Sequence, residues 1–299
     1  MNISITTDFS GHTMAPERQL RQIAEAGFTH LLWCHHYNTD FMYRPCEMGA
    51  MRRLVRDLGL KVLDIHGSYG QEKRFWSLRE YERQAGAELF RNRAELYCEL
   101  EATGSLIMHL PYLQVDSSPE SAAGQRREME QALRTLDEVV PYLDNLGVPL
   151  ALENMPGDTW ELLDLALERY PQTGICYDCG HGNDDRFKHN EEMYRRRARL
   201  FALHLNDNDG KSDLHQSPFM GTVDWKRVAE IVADSPYDKP LSYEICMKAT
   251  PYQHGPLTPY PSQTDEDQAA FLNDAFERCA RFNNMYEKTK QANEKEIGK

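Results

Sequence analysis

Pro149-Leu150-Ala151-Leu152-Glu153 and, one amphipathic segment later, Gly174-Ile175-Cys176-Tyr177 decide the fold. Each is a short apolar run of the kind that forms a buried strand, and the segment between them carries helical spacing. Working outward, the same unit repeats in both directions. Further strands are expected at Asn2–Thr7, His30–Cys34, Lys61–His66, Ser105–His109, Leu200–Leu205 and Leu241–Cys246. The intervening helices show in apolar residues at i, i+3, i+4 and i+7. Leu133, Leu136, Val139, Val140, Leu143 and Leu146 form one stripe, closed by Gly147 as a C-cap. Tyr81 to Glu101 holds another, with Ala87, Leu89, Phe90, Leu96 and Leu100 on its buried face. Strand–helix alternation implies a parallel sheet, and eight units closing on themselves make one (β/α)8 barrel. We assign the barrel to residues 1–286 and a polar, fraying C-terminal tail, rich in Lys, Glu and Asn, to 287–299. No Gly-rich phosphate loop follows the first strand, which argues against an open dinucleotide-binding sheet and against a nucleotide cofactor.

Bulk properties agree. The chain has 299 residues, and one such barrel needs about 250. No apolar run approaches the roughly 18 residues of a membrane span, and Met1-Asn2-Ile3-Ser4-Ile5 enters a strand without signal-peptide character. Seven scattered cysteines fit reduced thiols, and with them a cytoplasmic location, better than a disulfide framework. A net charge of −13 repels phosphate backbones; Arg195-Arg196-Arg197 is the one basic run and reads as a solvated helix face, so nucleic acid is disfavoured as a partner.

The chemistry sits at the C-terminal strand ends, which a barrel of this kind gathers on one face. Strand three ends in His66, strand four in His109 and strand five in Glu153. Strand six gives Tyr177-Asp178-Cys179-Gly180-His181, and strand seven gives His204-Leu205-Asn206-Asp207 followed by Ser212-Asp213-Leu214-His215. Strand eight gives Tyr243-Glu244. Any one of these alone reads as a structural histidine or a helix cap. Together, from strand three to strand eight, they interleave carboxylates and imidazoles. Carboxylates crowded at short range cannot all stay ionised unless a cation neutralises them, so the pattern points to a divalent metal.

With those segments, and with Leu150-Ala151-Leu152-Glu153-Asn154 and Gly221-Thr222-Val223-Asp224-Trp225, the chain resembles the xylose-isomerase-like TIM-barrel superfamily over essentially the whole barrel. That superfamily contains sugar-phosphate isomerases and epimerases, inosose dehydratases and endonuclease IV. The epimerase pattern implies that Glu153, Asp178, His204 and Glu244 hold one divalent ion, Zn2+, Mn2+, Co2+ or Mg2+. It implies Glu153 and Glu244 as the acid/base pair, His181 at a substrate hydroxyl, and a free or phosphorylated carbohydrate as substrate. The endonuclease pattern implies three zinc ions on nine ligands, His66, His109, Glu153, Asp178, His181, His204, Asp213, His215 and Glu244, for phosphodiester hydrolysis. The chain departs from that pattern at His109-Leu110-Pro111-Tyr112, where His-Pro-Gly is usual, and in its acidic surface. A non-catalytic metal- or sugar-binding barrel is the third reading.

Loops supply the remaining candidates. Trp33, His35, His36 and Tyr37 after strand two form a candidate substrate wall, as do Tyr69, Lys73, Arg74, Phe75 and Trp76 after strand three. Lys73, Arg74 or Lys211 would suit an anionic substrate group. Asn154, Asn206, Asp207, Asn208 and Asp209 stand where residues that orient ligands, or form turns, are found. Cys176 and Cys179 have redox-motif spacing, but Asp178 between them at a strand end makes packing the better reading. The Pro- and Tyr-rich loop from Ala249 to Gln263, with Pro251-Tyr252, His254, Pro256 and Pro259-Tyr260-Pro261, is a candidate lid or contact in a homo-oligomer.

Overall fold

A computed structural model describes the chain apart from residues 11–14, 35–40, 68–73, 112–117, 158–159, 184–188, 255–263 and 298–299. Strand and helix alternate throughout: β1 (Ile3–Thr6), α1 (Pro16–Glu25), β2 (His30–Trp33), α2 (Pro45–Asp57), β3 (Lys61–His66), α3 (Glu80–Glu99), β4 (Leu106–Met108), α4 (Pro119–Leu146), β5 (Leu150–Glu153), α5 (Trp160–Arg169), β6 (Gly174–Asp178), α6 (His189–Arg196), β7 (Leu200–His204), α7 (Trp225–Ala233), β8 (Leu241–Tyr243) and α8 (Asp265–Ile297). The strands run parallel in the order β7-β6-β5-β4-β3-β2-β1-β8. A parallel bridge between Leu205 and Tyr243 joins the two ends of that row. It is made by Leu205 N donating to Ser242 O at 3.0 Å and Glu244 N donating to Leu205 O at 3.2 Å. The ring is therefore closed, as the sequence pattern implies. Among the described residues, no helix is long and apolar enough to cross a membrane.

The pleat turns alternate residues in and out. Leu32, Cys34, Ile107, Ala151, Cys176 and Ala202 form a small cluster of their own inside the barrel. Their strand neighbours, among them Leu31, Trp33, Leu150, Leu152, Ile175, Tyr177 and Leu203, pack outward into the main core beneath the helices. Two residues beyond Ile107, Ala151, Cys176 and Ala202 come His109, Glu153, Asp178 and His204. The interior cluster thus floors the mouth on which those groups stand.

Where the ends of elements differ from expectation, local chemistry accounts for it. Helix α4 starts well before its apolar stripe, because Ser118 Oγ accepts Ser121 N at 3.1 Å and Pro119 supplies a preformed first turn. Gly147 closes it in the left-handed conformation, φ 69°. Within the stripe Leu136, Val139, Val140 and Leu143 are buried, whereas Leu133 is half-buried and Leu146 is 40% exposed. The tail expected to fray beyond Glu287 is instead the last part of α8, helical to Ile297. Its Lys, Glu, Gln and Ala residues favour helix, and Asn293 Nδ2 donates to Asp234 Oδ1 at 2.6 Å, fastening it to the end of α7.

Gly67, directly after His66, shows how tight the mouth is. A Cβ there would lie 2.4 Å from the Phe90 ring and 2.6 Å from the Ile107 carbonyl oxygen. We expect Gly67→Ala to cost about 1–3 kcal/mol, the usual penalty of overpacking. It should lower the urea midpoint at unchanged slope. Gly124→Ala, in α4 with nothing within 4 Å of the added atom, should instead gain about 0.5–1 kcal/mol.

Candidate active site

Among the described residues five overlapping groups of potential ligands meet at the mouth, each with donor atoms within 4.8 Å of one another, and three of them span the strand-end set. The central one is Glu153 from β5, Asp178 from β6, His204 from β7 and Glu244 just past β8. On one flank His66, His109 and Glu153 converge, and on the other His181, Asp213 and His215. All nine residues picked out by the strand-end pattern are thus brought together.

His204 is the hub. Its Nδ1 lies 3.1 Å from Glu153 Oε2 and 3.0 Å from Glu244 Oε2. Beyond these charged contacts, and that of Glu153 Oε2 with His109 Nε2 at 3.2 Å, no well-aligned hydrogen bond ties the buried Glu153 oxygens or the His204 ring nitrogens. Burial works against charge on the His204 ring, but Cys176, Glu153 and Glu244 outweigh it and hold the pKa well above the ordinary histidine value. Burial likewise opposes the charged carboxylates; His204 and His109 nevertheless keep Glu153 well below its usual range, and His204 and His215 draw Glu244 down to about 2. Burial dominates at Asp178, pushing it up to about 6.

The flanking rings are tied by the backbone. Nδ1 of His66 faces Gly67 O at 3.2 Å, Nδ1 of His181 faces Asn154 O at 2.7 Å, and Nδ1 of His215 faces Glu244 O at 3.1 Å. A carbonyl only accepts, so each Nδ1 carries its proton and each Nε2 is turned to the site. Nε2 of His66 lies 3.1 Å from Nε2 of His109 and 3.6 Å from Glu153 Oε2. Nε2 of His181 and of His215 approach Asp213 at 3.5 and 3.0 Å. Burial lowers the His66 pKa, leaving that ring neutral. Burial also resists charge on His215, but Glu244 and Asp213 raise it to about 9.

Amides and one loop hold this arrangement. Asp178 Oδ2 accepts Asn206 Nδ2 at 2.8 Å and Oδ1 accepts His181 N at 2.7 Å. Asn154 Oδ1 accepts Asp178 N at 2.8 Å, and Asn154 Nδ2 donates to Asp178 O at 2.9 Å. Gly180 has to be glycine, since a Cβ would fall 1.9 Å from Asn206 Oδ1. Asp207 accepts Val223 N at 3.0 Å and Trp225 Nε1 at 2.9 Å, and it pairs with Gln216 across an antiparallel bridge. Asp207 thus anchors both the Gly221–Trp225 segment and, through Gln216, the stretch carrying Asp213 and His215, and the His215 carbonyl also accepts Cys246 N at 2.7 Å. His215 itself sits at φ 50°, a strained position for a residue with a side chain.

Other sequence-derived candidates fall elsewhere. Trp33 is a correction: it faces outward on β2, 1% exposed, with Nε1 donating to Tyr43 OH at 3.3 Å, and so forms no wall of the mouth. Phe75 is likewise in the core. Lys211 is exposed on the β7–α7 loop, its amide on Asp209 Oδ1 at 2.9 Å. His254 is 62% exposed and 3.3 Å from Asp267. His35, His36, Tyr37, Tyr69, Lys73, Pro256, Pro259, Tyr260 and Pro261 lie outside the described residues. Cys176 and Cys179 are free, buried thiols. Strand-end reasoning missed two thiols at the site, Cys34, whose Sγ donates to Glu244 Oε1 at 3.8 Å, and Cys176, grouped with Glu153 and His204. The period of two along β6, from Asp178 back to Cys176, was the available signal.

A family model described as xylose isomerase-like TIM barrel matches residues 20–274. The chain is 30% identical over 249 residues to the uncharacterized protein y4fM of Sinorhizobium fredii, covering 75% of this chain and 79% of that one. It is 28% identical over 181 residues to the uncharacterized protein MJ1311 of Methanocaldococcus jannaschii, covering 56% and 59%. Among solved structures, an L-ribulose 3-epimerase superposes with a TM-score of 0.72 at 17% identity, covering 98% of this chain and 97% of that one. A D-tagatose 3-epimerase-like protein gives 0.71 at 18% identity, covering 95% and 98%. At such identities the superpositions speak for the fold. With the family match spanning most of the barrel, the chain belongs to the xylose isomerase-like TIM barrel family.

Proposed function

We propose that the protein is a metal-dependent sugar isomerase or epimerase that moves a proton beside a carbonyl. The observation carrying this reading is the central quartet, whose two glutamates come from well-separated strands and converge on one His204 nitrogen at 3.1 and 3.0 Å. The donor set fits a divalent ion. Buried carboxylate oxygens and ring nitrogens held only by ion-pair contacts, with no well-aligned hydrogen bond, are costly, and those of Glu153 and His204 are in that condition. Glu153, Asp178, His204 and Glu244 would hold Zn2+, Mn2+, Co2+ or Mg2+. Bound there, such an ion supplies Lewis-acid polarisation of the substrate's carbonyl oxygen.

The proton work falls to the protein. Glu153 and Glu244 are both kept ionised near neutral pH, so either can take the proton from the carbon next to the carbonyl. The same carboxyl returns it in an isomerisation, whereas in an epimerisation the other carboxyl would first take up a proton from solvent and deliver it to the opposite face. Asp178, clamped by Asn206 and the His181 amide, keeps its orientation throughout. His181, tied through Nδ1, presents Nε2 to a substrate hydroxyl, with Lys211 and His36 as further proposed substrate contacts. The names of the superposed 3-epimerases support a carbohydrate as the substrate class.

One observation favours a second reading, a multinuclear zinc phosphodiesterase: the flanking groups His66–His109–Glu153 and His181–Asp213–His215 are also compact donor sets. The net charge of −13 counts against a nucleic-acid substrate. Metal content separates the two. One ion per chain, retained in His66→Ala, is the expected result; three tightly held zincs with cleavage of an abasic-site duplex would replace the first reading with the second.

For the proton transfer itself, wild-type enzyme in D2O should exchange deuterium into at least one of a panel of ketoses. Glu153→Gln and Glu244→Gln should each lower that rate by about 10²–10⁴. Undiminished exchange in both variants would take the pair out of the reaction.

Protons compete with metal at His204 and also charge the neighbouring His215 ring. His215, raised from 6.5 to about 9, contributes stability to the metal-free protein that is full below its ordinary pKa and lost as pH rises through about 9. The chelated protein should therefore melt progressively earlier across that window. Ligation needs unprotonated rings, so metal affinity should fall with falling pH, about tenfold per pH unit for each proton displaced. Calorimetry in buffers of differing ionisation enthalpy reads both, and pH-independent binding without proton release would contradict the assignment.

A further inference from the structure

We propose that Cys176 is a sulfur ligand at the floor of the metal site, fitting it for a thiophilic divalent ion; the inference rests on the metal-dependent reading above. On β6, Cys176 lies in register with Glu153 of β5 on one side and Ala202 of β7 on the other. It stands two residues before Asp178, so its side chain shares the inward face of that strand. Cys176, Glu153 and His204 each offer a donor atom, and these lie within 4.8 Å of one another. All three residues are fully buried. The Glu153 and His204 donors meet each other at 3.1 Å without a well-aligned hydrogen bond, so both stay available to an ion.

A buried thiol is ordinarily a small hydrophobic filler among apolar side chains. Cys176 packs with Leu32, Cys34, Ile107, Ala151 and Ala202 on the barrel floor, but on its mouth side it also meets a carboxylate and an imidazole, the company of a ligand. Three carboxylates and one imidazole alone would accept hard ions such as Mg2+ or Mn2+ readily. A Cys176 thiolate beside Glu153 and His204 makes a three-donor set that shifts preference towards Zn2+, Co2+ and Cd2+. Ligation is a proton exchange without redox change: the S–H bond breaks, the proton leaves to solvent, and a sulfur–metal bond forms. Cys34, 3.8 Å from Glu244 Oε1, is the other thiol close to the quartet and the natural control.

The test uses the full-length protein, stripped with a chelator and reloaded with Co2+. Near-ultraviolet absorption reports thiolate-to-cobalt charge transfer, and the visible bands report bound cobalt. The expected result is a charge-transfer band in the wild type and in Cys34→Ser. In Cys176→Ser it should be lost while the visible bands persist. Stoichiometric cobalt uptake by the wild type without that band would overturn the inference and leave the metal site standing, and it needs no variant to fold. A band that survives Cys176→Ser, or vanishes in Cys34→Ser, would also overturn it. No cobalt uptake at all would sink the metal-dependent reading together with the inference.

Discussion

Closing eight parallel strands into a ring forces their C-terminal ends into one small mouth, and in this chain the mouth is filled with charge. Glu153, Asp178 and Glu244 bring three carboxylates to within 4.8 Å of a single imidazole donor. Like charges so placed repel, and burial adds to the cost of each. The protein's own response is visible in its histidines: His181, His204 and His215 are all held above the ordinary pKa by the acids around them, against the pull of burial. The rings act as counter-charges. Everything else near the mouth, the Asn206 clamp, the glycine at 180 and the segments anchored on Asp207, serves to keep these groups close when electrostatics would separate them.

Fixity is the second theme. Three rings are tied through Nδ1 to backbone carbonyls, so their tautomers are set by the chain and not by whatever enters the site. The carbonyls belong to residues 67, 154 and 244, each at or next to a strand end. Site geometry is thus inherited from the strand ends of the barrel. The 212–216 segment, which leaves the barrel with Asp213 and His215, compensates with the Asp207–Gln216 bridge.

Much of this could be read from the chain. Buried strands announce themselves as apolar runs, and a metal-ligand residue type stands at strand end after strand end from His66 to Glu244, so the fold and the nine-residue set were both legible. Trp33 was misplaced because composition does not say which parity of a strand faces inward. The register irregularities between β2 and β3 and between β6 and β7 arise only in the assembled sheet. Cys176 reads as packing in the sequence because a cysteine in an apolar run looks like filler, and only the register with Glu153 gives it another meaning. The polar stretch after Glu287 read as a tail because polar composition suits an exposed helix as well as a coil. Its tie to Asp234 is a tertiary contact that no local pattern records.

The ring's last joint is also its narrowest. Strands β7 and β8 meet through the single bridge between Leu205 and Tyr243 rather than a full ladder. His204 stands on one lip of that seam and Glu244 on the other, 3.0 Å apart. Whatever occupies the space between them acts as a rivet across the seam. Filling the site and locking the barrel shut are then the same event, and ligand affinity and resistance to unfolding draw on one pair of side chains.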